Sequence, residues 1–92
     1  LFVHGGVIST LCDVTAGFAA FTLVNEGEGT VTADLKVSYY HPGKCDILYT
    51  RGWVEKAGSR LFFCESKVWS KSADKEDLLI AKSSSTMAVI KL

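Results

Sequence analysis

Proline appears once in the 92 residues, and no Gly-, Ser- and Pro-rich stretch separates one part of the chain from another. Without a linker, the length fits one domain over 1–92, near the lower end of what buries a self-sufficient core. Neither charge is in excess, since ten Lys and Arg stand against ten Asp and Glu. That balance provides no basic stripe for nucleic acid and no general attraction to an anionic membrane, while a local cationic pocket for a small anion stays compatible with it. The three cysteines, Cys12, Cys45 and Cys64, are odd in number and far apart. They form no paired metal-ligand spacing, so no metal site is expected. Read as reduced, mostly buried thiols, they favour a reducing compartment, cytosol or mitochondrial matrix. The first 24 residues hold no Lys or Arg and are largely apolar. Asp13 argues against a membrane span there, because mid-bilayer it would cost about 2.5 to 3.5 kcal/mol. A signal peptide would want a basic start and a shorter apolar core. A serine nucleophile is disfavoured too, because no G-x-S-x-G elbow exists.

What is present changes period along the chain. From Gly6 to Val24, steps of 100° place Val7, Leu11, Val14, Phe18 and Phe21 on one apolar stripe of a helix, with Ile8, Cys12, Ala16, Ala19 and Leu23 on a second beside it. The remaining sector, Gly6, Ser9, Thr10, Asp13, Gly17 and Ala20, is small or polar. A helix this apolar is expected to be buried on most sides. After Asn25-Glu26-Gly27-Glu28-Gly29 the period becomes two. TVTADLKVSYY puts Val31, Ala33, Leu35, Val37 and Tyr39 on one face and Thr30, Thr32, Asp34, Lys36, Ser38 and Tyr40 on the other, and Pro42-Gly43 ends the strand. CDILYTRGWVE, RLFFCESKVWSK and LLIAKSSSTMAVI read as three more strands. The expectation is an α+β domain in which a four-stranded antiparallel meander wraps the helix. One small sheet leaves much of so apolar a helix uncovered, and its edges invite pairing, so a homo-oligomer is expected.

In order and spacing, HGG followed by Asp13 nine residues after His4, then T-x-D-L-x-V-x-Y-x-x-P from Thr32 to Pro42, Gly58 before Arg60, and the final strand around Ala81 resemble the hotdog-fold acyl-CoA thioesterases. The branch is that of the phenylacetate-pathway thioesterases and thioesterase superfamily member 2. The match runs from His4 to about Val89. It implies a long central helix wrapped by an antiparallel sheet, a homodimer or a dimer of dimers, and hydrolysis of an acyl-CoA without any cofactor beyond the coenzyme A of the substrate. The family's further strand, often with a helix, precedes HGG, as does a polar carbonyl-binding side chain; both fall before Leu1.

Thioester hydrolysis needs an activated water and a donor for the oxyanion developing on the carbonyl. Gly5 and Gly6 precede a first helical turn whose N–H groups lack intrahelical partners, and glycine lets a ligand come close. The alternative is a pair of glycines that only shape the entry to the helix. Asp13 is too far from the helix start to cap it, and aspartate is a poor helix-interior residue. It is either catalytic or satisfied by a neighbouring hydroxyl, such as Ser9 or Thr10, or by a partner subunit. The resemblance implies that Gly5 supplies the amide and that Asp13 acts across a dimer interface, as general base or as nucleophile. It also implies that Thr32 holds the attacking water; His4 is a lesser candidate for carbonyl binding. For coenzyme A it implies Tyr39, Tyr40, His41, Pro42, Gly43 and Lys44, and the turn residues Lys56, Gly58, Ser59, Arg60 and Leu61. The rival reading is a non-catalytic hotdog module that binds acyl-CoA or serves assembly. A hydratase is disfavoured because Gly17 and Phe18 stand where such enzymes carry a histidine after the aspartate.

Overall fold

The computed structural model describes residues 2–44 and 47–92, so Cys45 and the predicted first residues of the second strand lie outside the described part. One helix, α1 (Gly5–Phe21), is followed by four strands: β1 (Glu28–Tyr39), β2 (Ile47–Ala57), β3 (Leu61–Lys71) and β4 (Leu78–Lys91). Helix α1 stops three residues before the periodicity does. Thr22 Oγ1 donates to the Ala19 carbonyl at 2.7 Å, and Leu23 N–H bonds back to Ala20 rather than to Ala19. This tightened last turn satisfies carbonyls that the helix end leaves open. Among the described residues no helix is long and apolar enough to cross a membrane.

All strand pairs are antiparallel, but the sheet is not a meander. Its order is β1-β4-β3-β2, so the first two strands occupy opposite edges. Hairpins join β2 to β3 and β3 to β4, whereas β1 pairs with β4 over Glu28–Tyr39. The segment after Tyr39 is held by Tyr40 and His41 N–H bonds to Ile80 and by the Val3–Gly43 bridge. It carries the chain past the start of α1 toward the far edge.

Helix and sheet meet through small side chains. Ile8, Cys12, Ala16 and Ala20 are the buried positions of α1. Facing them are Phe62, Cys64, Ser66, Val68, Ile80, Ala81, Ser83 and Met87, all buried. Ser66 donates to the Cys12 carbonyl and shares a hydrogen bond with Ser83, so these hydroxyls fill the gap without being orphaned. Gly52 of β2 makes the closest approach possible. A Cβ there would lie 2.7 Å from Thr15 Cγ2 and 2.9 Å from the Thr15 carbonyl oxygen.

The expected burial of α1 on most sides does not hold within one chain. Val7, Val14, Phe18 and Phe21 are about half exposed or more, Phe18 at 69%. Leu23 lies beyond the helix and is also exposed, whereas Ala20, assigned by periodicity to the polar sector, is fully buried. A single four-stranded sheet contacts only one side of a helix, and here it takes the side whose residues permit the shortest separation.

Candidate active site

Asp13 faces β1. Its Oδ1 accepts a hydrogen bond from Thr32 Oγ1 at 2.6 Å, and Met87 Sδ lies behind the same hydroxyl at 3.5 Å. Strict alternation would have sent Thr32 to the opposite face from Leu35 and Val37. A bulge prevents this: the register passes from Thr32 opposite Met87 to Asp34 opposite Thr86, which leaves Ala33 without a partner. The extra residue resets the alternation, so Thr32 shares the helix-facing side with Leu35 and Val37. The aspartate is therefore satisfied by a hydroxyl 19 residues away and not by Ser9 or Thr10. Thr10 donates to the Gly6 carbonyl instead, and Ser9 pairs with Tyr39.

The start of α1 forms a second cluster. His4 is the N-cap, and its Nδ1 accepts from Gly6 N–H at 2.8 Å. With Nδ1 accepting, the neutral ring carries its proton on Nε2. Gly6 N–H is thus used by the cap, while Gly5 N–H has no partner among the described residues. The two glycines differ in another way. A Cβ on Gly6 would meet His4 Nδ1 at 2.9 Å, but one on Gly5 would only touch the Tyr39 ring at 3.6 Å. Gly6 is demanded by the cap; Gly5 is not demanded by packing. Tyr39 O–H donates to the Gly5 carbonyl at 2.9 Å, leaving Ser9 Oγ to donate to the phenol oxygen. This pair ties the end of β1 to the first turn of the helix.

The residues implied for coenzyme A fall into two groups. Tyr39, Tyr40, His41, Pro42 and Gly43 line a cavity of about 300 Å³ together with Gly5 and Ile8; Lys44 follows, exposed. Lys56, Gly58, Ser59, Arg60 and Leu61 form the β2–β3 turn at the other end of the sheet. That turn is fixed beside the last residues of β4 by Val89 N–H donating to the Arg60 carbonyl at 2.8 Å. The nine residue steps of β1 from Thr30 to Tyr39 separate the two ends by roughly 30 Å, so one chain does not bring them into one site. Gly58 has a structural reason, since a Cβ there would lie 2.8 Å from the Leu61 carbonyl oxygen. Near Arg60 the structure adds a cation that the sequence did not suggest. Lys91, with Ser59, Arg60 and Glu28, lines a cavity of about 430 Å³, and only the strand register brings residues so distant in sequence together.

Other chemistry is sparse. Cys12 and Cys64 are free and buried, and burial pushes the Cys64 thiol up, away from the thiolate a nucleophile needs. Among the described residues no group of three His, Cys, Asp or Glu is placed to hold a metal. A cavity of about 250 Å³ lined by Asp34, Lys36, Glu55 and Glu65 lies on the outer face of the sheet, across the sheet from Asp13.

Comparison with known proteins bears on the family and the fold. The model of the thioesterase superfamily matches residues 2–76. Over 71 residues the chain is 35% identical to acyl-coenzyme A thioesterase THEM4 of Rattus norvegicus, covering 75% of this chain and 29% of that protein. Over 63 residues it is 35% identical to a Saccharolobus solfataricus protein whose name assigns it to the esterases, covering 68% and 44%. The chain thus spans less than half the length of these curated relatives. Among solved structures, a thioesterase family protein from Silicibacter pomeroyi superposes with a TM-score of 0.94 at 28% identity, covering 99% of this chain and 66% of that one. A Bacillus halodurans protein solved with CoA superposes with a TM-score of 0.89 at 25% identity, covering 97% and 60%. With its helix on a four-stranded antiparallel sheet and the family model matched over most of its length, the chain belongs to the thioesterase superfamily and has the hotdog fold.

Proposed function

We propose that this chain hydrolyses an acyl-CoA thioester to the free acid and coenzyme A, at a site shared between two copies. The observation that carries the reading is the Thr32–Asp13 hydrogen bond at 2.6 Å, created by a bulge that turns Thr32 toward the helix. Bulges beside active sites re-aim side chains in this way. Because the Thr32 proton is given to Oδ1, the threonine oxygen keeps lone pairs to accept from a water, and Asp13 keeps Oδ2 to take that water's other proton. The water oxygen then bonds to the thioester carbon while the carbonyl electron pair moves onto oxygen. Collapse of the tetrahedral species breaks the carbon–sulfur bond, and the thiolate recovers the proton from Asp13. As nucleophile, Asp13 would instead form a mixed anhydride that water cleaves.

The donor for the oxyanion is Gly5 N–H, which the His4 cap leaves available. It does not come from the same helix, because eight residues at 1.5 Å separate Gly5 and Asp13 by about 12 Å. A second copy supplies it. β1 is an edge strand with unpaired backbone groups on its outer side, and pairing two such edges about a two-fold axis runs the two helices in opposite directions. The same symmetry sets the Tyr39–Lys44 end of one copy toward the Lys56–Arg60 turn of the other, which gathers the groups that bind coenzyme A. No cofactor beyond the substrate's own CoA is required. Asp13→Asn keeps the shape and removes the base, so kcat on the best of a panel of short, medium, long and aryl acyl-CoA esters is expected to fall roughly 10²- to 10⁴-fold with the melting transition retained. Unchanged turnover would take Asp13 out of the mechanism.

A further inference from the structure

Gly5 and Gly6 open α1, and glycine has the widest choice of backbone conformation of any residue. Here little of that freedom is left. The peptide unit between them is held at both ends: its carbonyl, on Gly5, accepts from Tyr39 O–H at 2.9 Å, and its N–H, on Gly6, donates to His4 Nδ1 at 2.8 Å. Because the unit is planar, two holds on opposite edges fix its tilt. The preceding unit carries Gly5 N–H, and its carbonyl, on His4, accepts from Val7 N–H at 2.9 Å and from Ile8 N–H at 3.4 Å. Both units flanking the Gly5 Cα are thus fixed, while Gly5 N–H has no partner among the described residues. The direction of that free donor is set entirely by the groups around it. Of the holds, only the phenol comes from outside the start of the helix. Tyr39 ends β1 opposite Ala81, its ring lies 3.6 Å from where a Gly5 Cβ would stand, and its hydroxyl shares a hydrogen bond with Ser9 Oγ.

We propose, building on the thioesterase reading above, that Tyr39 is a positioning residue for hydrolysis: its O–H, oriented by Ser9, locks the Gly5 carbonyl and so aims Gly5 N–H at the oxyanion. A donor stabilises developing charge most when its direction is set before the charge appears, and glycine by itself sets none. The bulge at Ala33 has a second consequence here. Thr32 and Tyr39 are an odd interval apart, which strict alternation would send to opposite faces. The extra residue puts both on the helix side. β1 therefore delivers one hydroxyl to Asp13 and one to the Gly5 carbonyl, the two groups that the shared site joins from different copies. Tyr39 touches neither the reacting carbon nor the water; it acts through the Gly5 backbone, and Ser9 acts through Tyr39.

The test removes the phenol oxygen and reads turnover and binding separately. Tyr39→Phe keeps the ring against Gly5, and kcat on acyl-CoA is expected to fall about 10- to 100-fold with KM within about threefold of the parent's. Ser9→Ala is expected to act in the same direction by about two- to fivefold. In a Gly5→Pro background, where the amide is already gone, adding Tyr39→Phe should lower kcat by no more than about twofold, because the two changes remove one function. Binding is measured with two CoA derivatives that cannot be hydrolysed: an S-alkyl thioether, which has no carbonyl and also reports that the variant is folded, and a trifluoromethyl ketone, whose hydrate or alkoxide presents the charge of the tetrahedral species. Tyr39→Phe is expected to weaken the ketone about tenfold and leave the thioether unchanged. A raised KM with kcat retained, or an equal loss on thioether and ketone, would mean that the phenol contacts coenzyme A itself, and would overturn the positioning role while leaving hydrolysis intact. Losses that multiply in the double variant would overturn it as well. A parent that hydrolyses no ester, yet whose Tyr39→Phe variant loses affinity for the ketone alone, would support the aimed amide and overturn the enzymatic reading.

Discussion

The two sides of α1 invert the usual relation between size and burial. The side against the sheet is built from Ile8, Cys12, Ala16 and Ala20, while both helix phenylalanines, Phe18 and Phe21, face outward with Val7 and Val14. The inner side gains from proximity rather than bulk: Gly52 admits the Thr15 backbone, and Ser66 reaches the Cys12 carbonyl. Close approach holds Asp13 within hydrogen-bond distance of Thr32. The outer side contributes little to the fold of one chain and leaves its apolar surface exposed. One helix thus carries a buried seam and an exposed apolar stripe, and the two are expected to respond differently to substitution.

The sharpest way to break that contrast is on the inner side. Gly52→Val drives side-chain atoms into the Thr15 backbone and is expected to destabilise the fold by about 3 kcal/mol, read as a lowered midpoint in urea with an unchanged slope. A midpoint like the parent's would mean that the helix does not need its present distance from β2. A smaller effect is expected at the β2–β3 turn. Lys56→Ala and Arg60→Ala should each raise KM for acyl-CoA about 3- to 30-fold, with kcat little changed and the effect shrinking at high salt. An acyl-pantetheine without the nucleotide should not distinguish either variant from the parent; an equal loss on it would assign the two cations to folding or assembly. The smallest effect belongs to the outer side. Phe18→Ser is expected to leave chemical stability within about 0.5 kcal/mol, as for other exposed substitutions away from packed features. A loss of several kcal/mol would show the outer stripe to be part of the folding core.

Much of this architecture was legible because it rests on local period. The switch from 3.6 to 2 after Asn25 marks the helix and the strands, and the Pro42-Gly43 and Gly58 turns mark where they end. The strand order was not legible, because pairing depends on where the connection after Tyr39 travels, and nothing in Tyr40–Lys44 encodes a crossing to the far edge. The bulge at Ala33 was equally silent: no glycine or proline flags it, so alternation placed Thr32 on the wrong face while the resemblance still pointed to it. Serines in the core run against their usual exposure: Ser66, Ser83 and Ser85 are buried, and only the fold brings Ser66 to Ser83 and to the Cys12 carbonyl. The His4 cap was invisible for another reason. It depends on a ring nitrogen two residues from the amide it meets, a contact that the unusual choice of histidine as N-cap conceals.

In the proposed shared site Asp13 of one copy works with Gly5 N–H of another, and Gly5→Pro isolates that amide. Gly5 is the first helical residue, where proline is favoured, and His4 already has the extended conformation, φ −60° and ψ 138°, that a following proline requires. The substitution removes the donor while retaining the helix, and alone it is expected to lower kcat about 10²- to 10³-fold. Mixed with Asp13→Asn under conditions of demonstrated subunit exchange, the two inactive proteins are expected to recover about a quarter of the parent rate, since half of a random mixture is heterodimer and each heterodimer keeps one intact site of two. A mixture that exchanges subunits and stays inactive would contradict a site built from both copies.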